Sequence, residues 1–365
     1  MLYRCLPAAN RPTTLRGPGP RKRGMSRPFT VDIHCHVLTE AADELVKPYF
    51  KPESEPLFRF ANAATREVNR RQGAAIHDRI TSVETRLAAM DKAGIDVQAI
   101  SPAPFQYYYW TEPGLGRESA RLINDNIAAI VAAHPGRFVG LATVPLQAPE
   151  LAVAELERAV RKLGLRGVEI CTNVAGAELS EEHFRPFFAK AEELGILVFL
   201  HPSGFSEGRR LADHYFANVI GNPLDSTLAV SHLIFGGVLE AYPRLKICVA
   251  HGGGFLPAYS GRMDHAHRAR EDCRRLIKKR PTSYLKRLYF DTVVFTTHQL
   301  DYLARQYGSG HLLLGTDYPY DMGMEDPVGF IASARSLGST DKAAIMGGNA
   351  ARLLKIRVPK AKGRR

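Results

Sequence analysis

The sequence predicts an α/β protein, a (β/α)8 TIM barrel with long βα-loop insertions after the first and fifth strands. Three observations carry that expectation. Eight short β-rich apolar runs recur along the chain. Amphipathic helical patterns separate them, and such alternation implies right-handed crossovers and a parallel sheet. The span they occupy, about 330 residues, suits eight βα units. A doubly wound sheet is the competing arrangement. Folds of that kind bind dinucleotides on a glycine-rich turn after the first strand, and no such turn follows the first run here.

In chain order the runs are FTVDIHCH (29–36), VQAIS (97–101), FVGLATVP (138–145), GVEICT (167–172), LVFLHP (197–202), KICVAHG (246–252), LYFDTVV (288–294) and LLLGTDYP (312–319). Residues 82–94, SVETRLAAMDKAG, read as a helix with a capping box at Ser82 and a glycine stop at Gly94. Residues 116–135 have the apolar spacing of a longer helix. The segments 151–164 and 183–195 are further helices, each ending in glycine. Residues 37–80 show neither a clear strand nor a long helix, and residues 204–232 form the second excursion. Long βα excursions shape the mouth of a barrel.

Hydrophobic residues make up 45% of the chain, enough for a sizeable core. No apolar run reaches the ~18 residues that span a bilayer. The net charge of +12 suggests nucleic acid at first sight. Its distribution argues against that partner. Residues 1–27 hold seven Arg/Lys and no acid, residues 355–365 hold six and no acid, and the body between is close to neutral. The expected organisation is a disordered basic extension (1–27), a barrel (28–356) and a basic tail (357–365). The extension has no apolar secretory core, and its Pro and Gly content suits a transit helix poorly. Met25, just before the first strand, is the preferred start of translation. Five scattered cysteines with no CxxC argue against disulfides and cysteine-based zinc sites, so a cytoplasmic setting is expected.

Barrel chemistry sits at the C-terminal ends of strands. His34 and His36 occupy alternate positions of the first run, so they project to one side, ~7 Å apart along the strand. A pair of this kind is common by chance. The same rim, however, also carries His201, His251 and Asp317, each directly after an apolar run. Three imidazoles and one carboxylate make a site for a divalent ion, with a position left for water or substrate.

Taken together, HxH, HP, HGGG and TDYP resemble the motifs of the amidohydrolase superfamily. The closer likeness is to the branch of 2-amino-3-carboxymuconate-6-semialdehyde decarboxylase and the aromatic-acid decarboxylases. Its phrases include RLAAMDKAGIDVQ, VPLQ, LKICVAHGGG, LLLGTDYP and the closing GGNAARLL. The resemblance implies that His34, His36, His201 and Asp317 hold one divalent ion, Zn²⁺ by preference with Mn²⁺ as the alternative, and that no organic cofactor is needed. It implies His251 as the catalytic acid/base, with Asp317 close enough to share that work. Binuclear relatives carry a lysine after the fourth strand. This chain reads GVEICTN there, which favours a single ion.

Arg262 matches an arginine that, in these relatives, enters the neighbouring subunit's site and grips a substrate carboxylate. The implied unit is a homodimer acting on a small carboxylic acid, with neither membrane nor nucleic acid involved. A second substrate-binding arginine belongs to the first long loop, where Arg59, Arg70 and Arg71 are equal candidates. Ser203 stands where the muconate enzyme has tryptophan, which puts that substrate in doubt. Tyr109 and Trp110, in the aromatic stretch FQYYYW, are candidates to wall the substrate pocket. Loop packing explains that stretch equally well.

Among other residues, Cys35 is expected to face the helix layer. Asp32 is expected to share the face of His34 and His36 and orient them, as is Asp291 from the seventh strand. Glu169 reads as structural or as a support behind the ligands, His265 and His267 as surface, and His134 as a helix end. The implied reaction is non-oxidative decarboxylation of an aromatic or conjugated unsaturated acid. The alternative is hydrolysis of an amide, lactone or C–C bond by metal-activated water, with His251 as base and then acid.

Overall fold

The computed structural model describes residues 27–358. Eight parallel strands form the sheet: β1 Val31–Val37, β2 Val97–Pro102, β3 Phe138–Ala142, β4 Gly167–Cys171, β5 Leu197–His201, β6 Lys246–Val249, β7 Tyr289–Asp291 and β8 Leu312–Leu313. Each hydrogen-bonds to the next in chain order. The first and last then close the ring, with Ile33 N donating to Leu314 O at 2.9 Å and His36 N to Tyr318 O at 2.9 Å. The (β/α)8 barrel expected from the sequence is the fold observed.

Two cores hold it. An outer one lies between strands and helices and includes Ile100, Val168, Ile170, Leu200, Val249 and Cys35, so Cys35 faces the helix layer as expected. The inner one fills the barrel with Ile33, Ala99, Leu141, Phe199, Cys248 and Leu313. Ala350 and Leu353, on the closing helix Asn349–Leu353, plug its lower end. That helix is the GGNAARLL phrase, small and apolar enough to enter the barrel floor.

β1 departs from simple alternation. Its register against β2 slips between Asp32 and Cys35, where one extra residue forms a bulge. Val31 and Ile33 pack inside the barrel, whereas Cys35 and Val37 pack outside. The bulge therefore places Ile33 and His34 both on the inner side, and Asp32 faces outward beside Gln98. This corrects the expectation that Asp32 shares a face with the two histidines, which assumed an unbroken period of two.

Helix Val83–Ala93 starts where Ser82 accepts from Thr85 N, and it stops at Gly94 with φ 73°. The reciprocal half of the expected capping box is missing, because the third helical position is Thr85 rather than Glu. Both insertions also differ from expectation. The first excursion holds a 19-residue helix, Ala63–Thr81, capped by Asn62. Ile80 is its only buried residue, so it has no apolar stripe for a sequence pattern to detect. The second excursion is shorter than expected, since Asn222–Phe235 is the barrel helix that follows β5. The two excursions meet: Asn62 N donates to Ala212 O at 3.2 Å, and its amide side chain to Asp213 at 2.8 Å.

Arg27, the last basic residue of the extension, forks onto the Asp96 carboxylate. The rest of that extension, with Met25 and Cys5, and the tail from residue 359 lie outside the described residues. Among the described residues, Cys35, Cys171, Cys248 and Cys273 form no disulfide.

Neighbouring glycines give a test of the barrel floor. A Cβ on Gly347 would collide with the Phe29 carbonyl oxygen, while one on Gly348 would meet nothing nearer than 3.5 Å. Gly347→Ala should destabilise by ~1–3 kcal/mol through overpacking. Gly348→Ala should stabilise by about 0.5 kcal/mol through lost unfolded-state freedom. Urea unfolding of both variants reads the opposite signs.

Candidate metal centre

Each histidine of β1 is held from behind. His34 Nδ1 donates to Asp291 Oδ2 at 2.6 Å, and His36 Nδ1 donates to the Pro102 carbonyl at 2.9 Å. Those bonds put the ring proton on Nδ1 and leave the Nε2 lone pair facing the barrel axis. Asp291 also accepts from the backbone N–H groups of His251, Gly252 and Val293 at 2.9–3.1 Å. It supports the first histidine, as the sequence suggested, and also ties β7 to the turn after β6.

His251 and Asp317 sit on turns rather than in strands. Both are non-glycine residues in the left-handed region, with φ 54° and 59°. Such backbone costs of order 1–3 kcal/mol and persists where surroundings over-determine it. Here it swings both side chains back over the barrel mouth. Asp317 Oδ1 lies 3.3 Å from both His34 Nε2 and His36 Nε2, and Oδ2 lies 3.5 Å from His251 Nε2. Ligand atoms of His34, His201, His251 and Asp317 all fall within 4.8 Å of one another. His201 closes the group, its ring centroid 4.8 Å from that of His34 and 4.9 Å from that of His36.

The donor set passes a chemical test for a divalent ion. Nε2 of His34, His36 and His201 and Oδ1 of Asp317 are buried and have no hydrogen-bond partner. Buried polar atoms are rarely left so, and unpaired donors gathered this closely around the Asp317 carboxylate are what a cation satisfies. Charge agrees. Burial alone would lower His34, but the Asp317 and Asp291 carboxylates outweigh it and hold its pKa well above the usual value. Burial alone would raise Asp317, but the charge of His34 and the close approach of the His251, His34 and His36 rings keep it well below the carboxylate range. Burial pushes His201 well below its ordinary value, with His34, His36 and His251 adding to the effect, so its lone pair is free to bind.

His251 is set apart by exposure. It lines a cleft of about 600 Å³ together with Phe255, Val294, Phe295, Asn218 and Gln299. The candidate substrate residues fall elsewhere. Arg262 is exposed on helix Gly261–Ala269, not on the cleft wall, and forms no ion pair among the described residues. Arg70 bonds to Glu67 on the exposed helix, Arg71 lies 3.7 Å from the same carboxylate, and Arg59 stacks on Phe60. Trp110 donates to Glu55 at 2.8 Å and packs on Phe50. Tyr109 is buried against Tyr107, its hydroxyl unpaired. Glu169, fully buried inside β4, accepts from Tyr107 at 2.7 Å and lies 3.8 Å from His36 Nδ1. His134 caps its helix, and His265 is exposed.

Sequence reasoning missed Glu55 and Arg86. Glu55 anchors the first insertion over the aromatic loop, and burial raises its carboxyl to about 8 despite the bond from Trp110. Neither residue follows a strand, and no local pattern marks either as buried.

A closed parallel barrel with three imidazoles and a carboxylate at its C-terminal mouth defines a metal-dependent barrel enzyme. The amidohydrolase family model matches residues 31–356, and the chain belongs to that family. The 2-amino-3-carboxymuconate-6-semialdehyde decarboxylase of Dictyostelium discoideum is 32% identical over 330 residues, covering 90% of this chain and 92% of its own. The crystal structure of 5-carboxyvanillate decarboxylase from Sphingomonas paucimobilis matches with a TM-score of 0.81 at 27% identity, covering 91% of this chain and all of that one. The 5-carboxyvanillate decarboxylase of Novosphingobium aromaticivorans, complexed with manganese and 4-hydroxy-3-methoxy-5-nitrobenzoic acid, shares the fold with a TM-score of 0.80. Its identity is 23%, with 90% and 96% of the two chains covered.

His201→Ala should lower bound metal, measured by elemental analysis, well below the wild-type content per chain. Asp291→Asn, which weakens the support behind His34, should reduce metal affinity ~10–100-fold. Glu55→Gln removes a buried carboxyl whose ionisation folding opposes. Its stabilising effect over wild type should grow as pH rises from 4.5 to about 8 and then level off. Unfolding curves across that range check the sign.

Proposed function

We propose that this chain is a metal-dependent, non-oxidative decarboxylase of an aromatic or conjugated unsaturated carboxylic acid. The observation that carries the proposal is a division within the histidine cluster. Buried, unpaired atoms of His34, His36, His201 and Asp317 gather at the barrel mouth, and His251, whose ring lies within the same cluster, is the histidine that also faces the cleft. The relatives whose names specify decarboxylation support the same reading.

His34, His36, His201 and Asp317 would hold one divalent ion, Zn²⁺ or Mn²⁺. The three-imidazole, one-carboxylate set suits zinc, and manganese is the ion in a structural relative. When bound, the ion acts as a Lewis acid toward substrate oxygens. Loss of CO2 leaves an electron pair on carbon, and a proton must arrive there. Asp317, held ionised by its histidine neighbours, is a poor source. His251 delivers that proton, because it reaches the cleft and its Nε2 is oriented by Asp317 Oδ2. Val293 and Val294 give the cleft an apolar wall beside His251. Tyr109 and Trp110 lie off the cleft wall, so they bear on the substrate only through the packing of the loop after β2.

Arg262 acts from a second copy of the chain. It is exposed and has no ion pair among the described residues on the helix that follows Tyr259, and Phe255, Tyr259 and Phe295 expose large apolar surface on the same rim. Its planar fork grips the carboxylate before it leaves.

CO2 release from carboxylated phenols and muconate-type acids, with ester and lactone hydrolysis run in parallel, tests the reaction. Hydrolysis without CO2 overturns it. His251→Ala should lower CO2 release ~10²–10⁴-fold with metal content unchanged. Mixing His251→Ala with Arg262→Ala should restore roughly a quarter of wild-type activity, since each mixed dimer has one intact site. No recovery after confirmed subunit exchange rejects the shared site.

A further inference from the structure

The phrase RLAAMDKAGIDVQ begins with Arg86 and ends with Gln98. Neither residue touches the cleft or the metal centre, yet both are almost completely buried, at 2% exposure each. Burying a guanidinium is costly unless its donors are used. Arg86 uses them on the His36 carbonyl and on Gln98 Oε1, the latter at 3.1 Å. Its guanidinium lies 4.8 Å from the centroid of Tyr318, whose other cationic neighbour is Arg79 at 5.0 Å. Gln98 passes the contact on, its Nε2 donating to Asp32 Oδ2 at 3.0 Å. Asp32 in turn accepts from His34 N at 3.1 Å, Thr316 N at 3.0 Å and the Thr316 hydroxyl at 2.6 Å.

Every branch of this network ends on a segment that carries a ligand. His34 and His36 belong to β1, and Thr316 and Tyr318 flank Asp317. The bulge in β1 makes the arrangement possible, because it turns Asp32 outward while His34 and His36 stay inside. An apolar side chain at residue 86 could fill the same volume but could not bond a strand carbonyl on one side and the β2 amide on the other.

We propose that Arg86 is a positioning residue for the metal centre. Through the His36 carbonyl directly, and through Gln98 and Asp32, it holds β1 in register with the turn after β8, so that Nε2 of His34 and His36 and Oδ1 of Asp317 converge. The inference rests on the metal reading of the site, and it extends that reading to the opposite face of the strand.

The test is metal affinity of the full chain, stripped of metal and titrated with Zn²⁺ against a chromophoric chelator well below the unfolding temperature. Arg86→Met should bind Zn²⁺ at least ~10-fold more weakly than wild type, as losses behind a ligand do. Arg86→Lys, which keeps the charge and loses the fork, should fall between the two. Leu156→Ala, in the outer core on helix Pro149–Arg161, is the control for general destabilisation and should keep wild-type affinity. Gln98→Met breaks the same chain of bonds and serves if Arg86→Met does not fold. The double variant should bind no more weakly than the weaker single, because both changes act through one network. Wild-type affinity in Arg86→Met and Gln98→Met, equal loss in Leu156→Ala, or additive losses in the double variant would each overturn the proposal. A wild-type protein that binds no Zn²⁺ would instead sink the metal reading itself.

Discussion

The structure depends on keeping a few lone pairs free of hydrogen bonds at the barrel mouth while satisfying the polar atoms behind them. An imidazole in a dry interior takes whatever partner it finds. For His34 and His36 that partner sits on the Nδ1 side, Asp291 in one case and the Pro102 carbonyl in the other. The lone pairs left over point inward to a common centre. Burial raises the strength of every charge interaction there, so the same low dielectric that would penalise a lone charge favours a balanced set of cation and carboxylates.

β1 carries most of this load, and its bulge explains how. A regular strand would offer the centre two histidines and waste Asp32 in the same crowded interior. The extra residue shifts Asp32 to the outer face, where it accepts from His34 N and Thr316 and joins Gln98. One strand thereby serves both faces of the sheet, the inner one for ligands and the outer one for their alignment. The strained backbone at His251 and Asp317 completes the set from two turns. Strain of this kind is tolerable because Asp291 and Asp32 fix the neighbouring main chain through several hydrogen bonds each.

Much of this was legible in the linear sequence. Eight apolar runs marked eight strands because a parallel barrel strand is buried on both faces and reads as continuous hydrophobicity. His201, His251 and Asp317 stood out because each breaks such a run at its C-terminal end. Asp32 was placed on the wrong face, since a bulge leaves no trace in composition. The helix Ala63–Thr81 was missed because it is exposed nearly all round. Arg86 was invisible as a buried charge, since an arginine on an amphipathic helix ordinarily points to solvent.

By itself the sequence determined the barrel, its strand order and the residues able to bind a cation, because periodicity and residue chemistry are local properties. Only the tertiary structure decided which nitrogen of His34 and His36 stays bare, which side of β1 Asp32 takes, and that Arg86 turns inward to bond the His36 carbonyl. Those outcomes depend on partners 50 to 284 residues away along the chain. Hydrogen bonding over that distance is set by how the strands register, not by neighbouring residues.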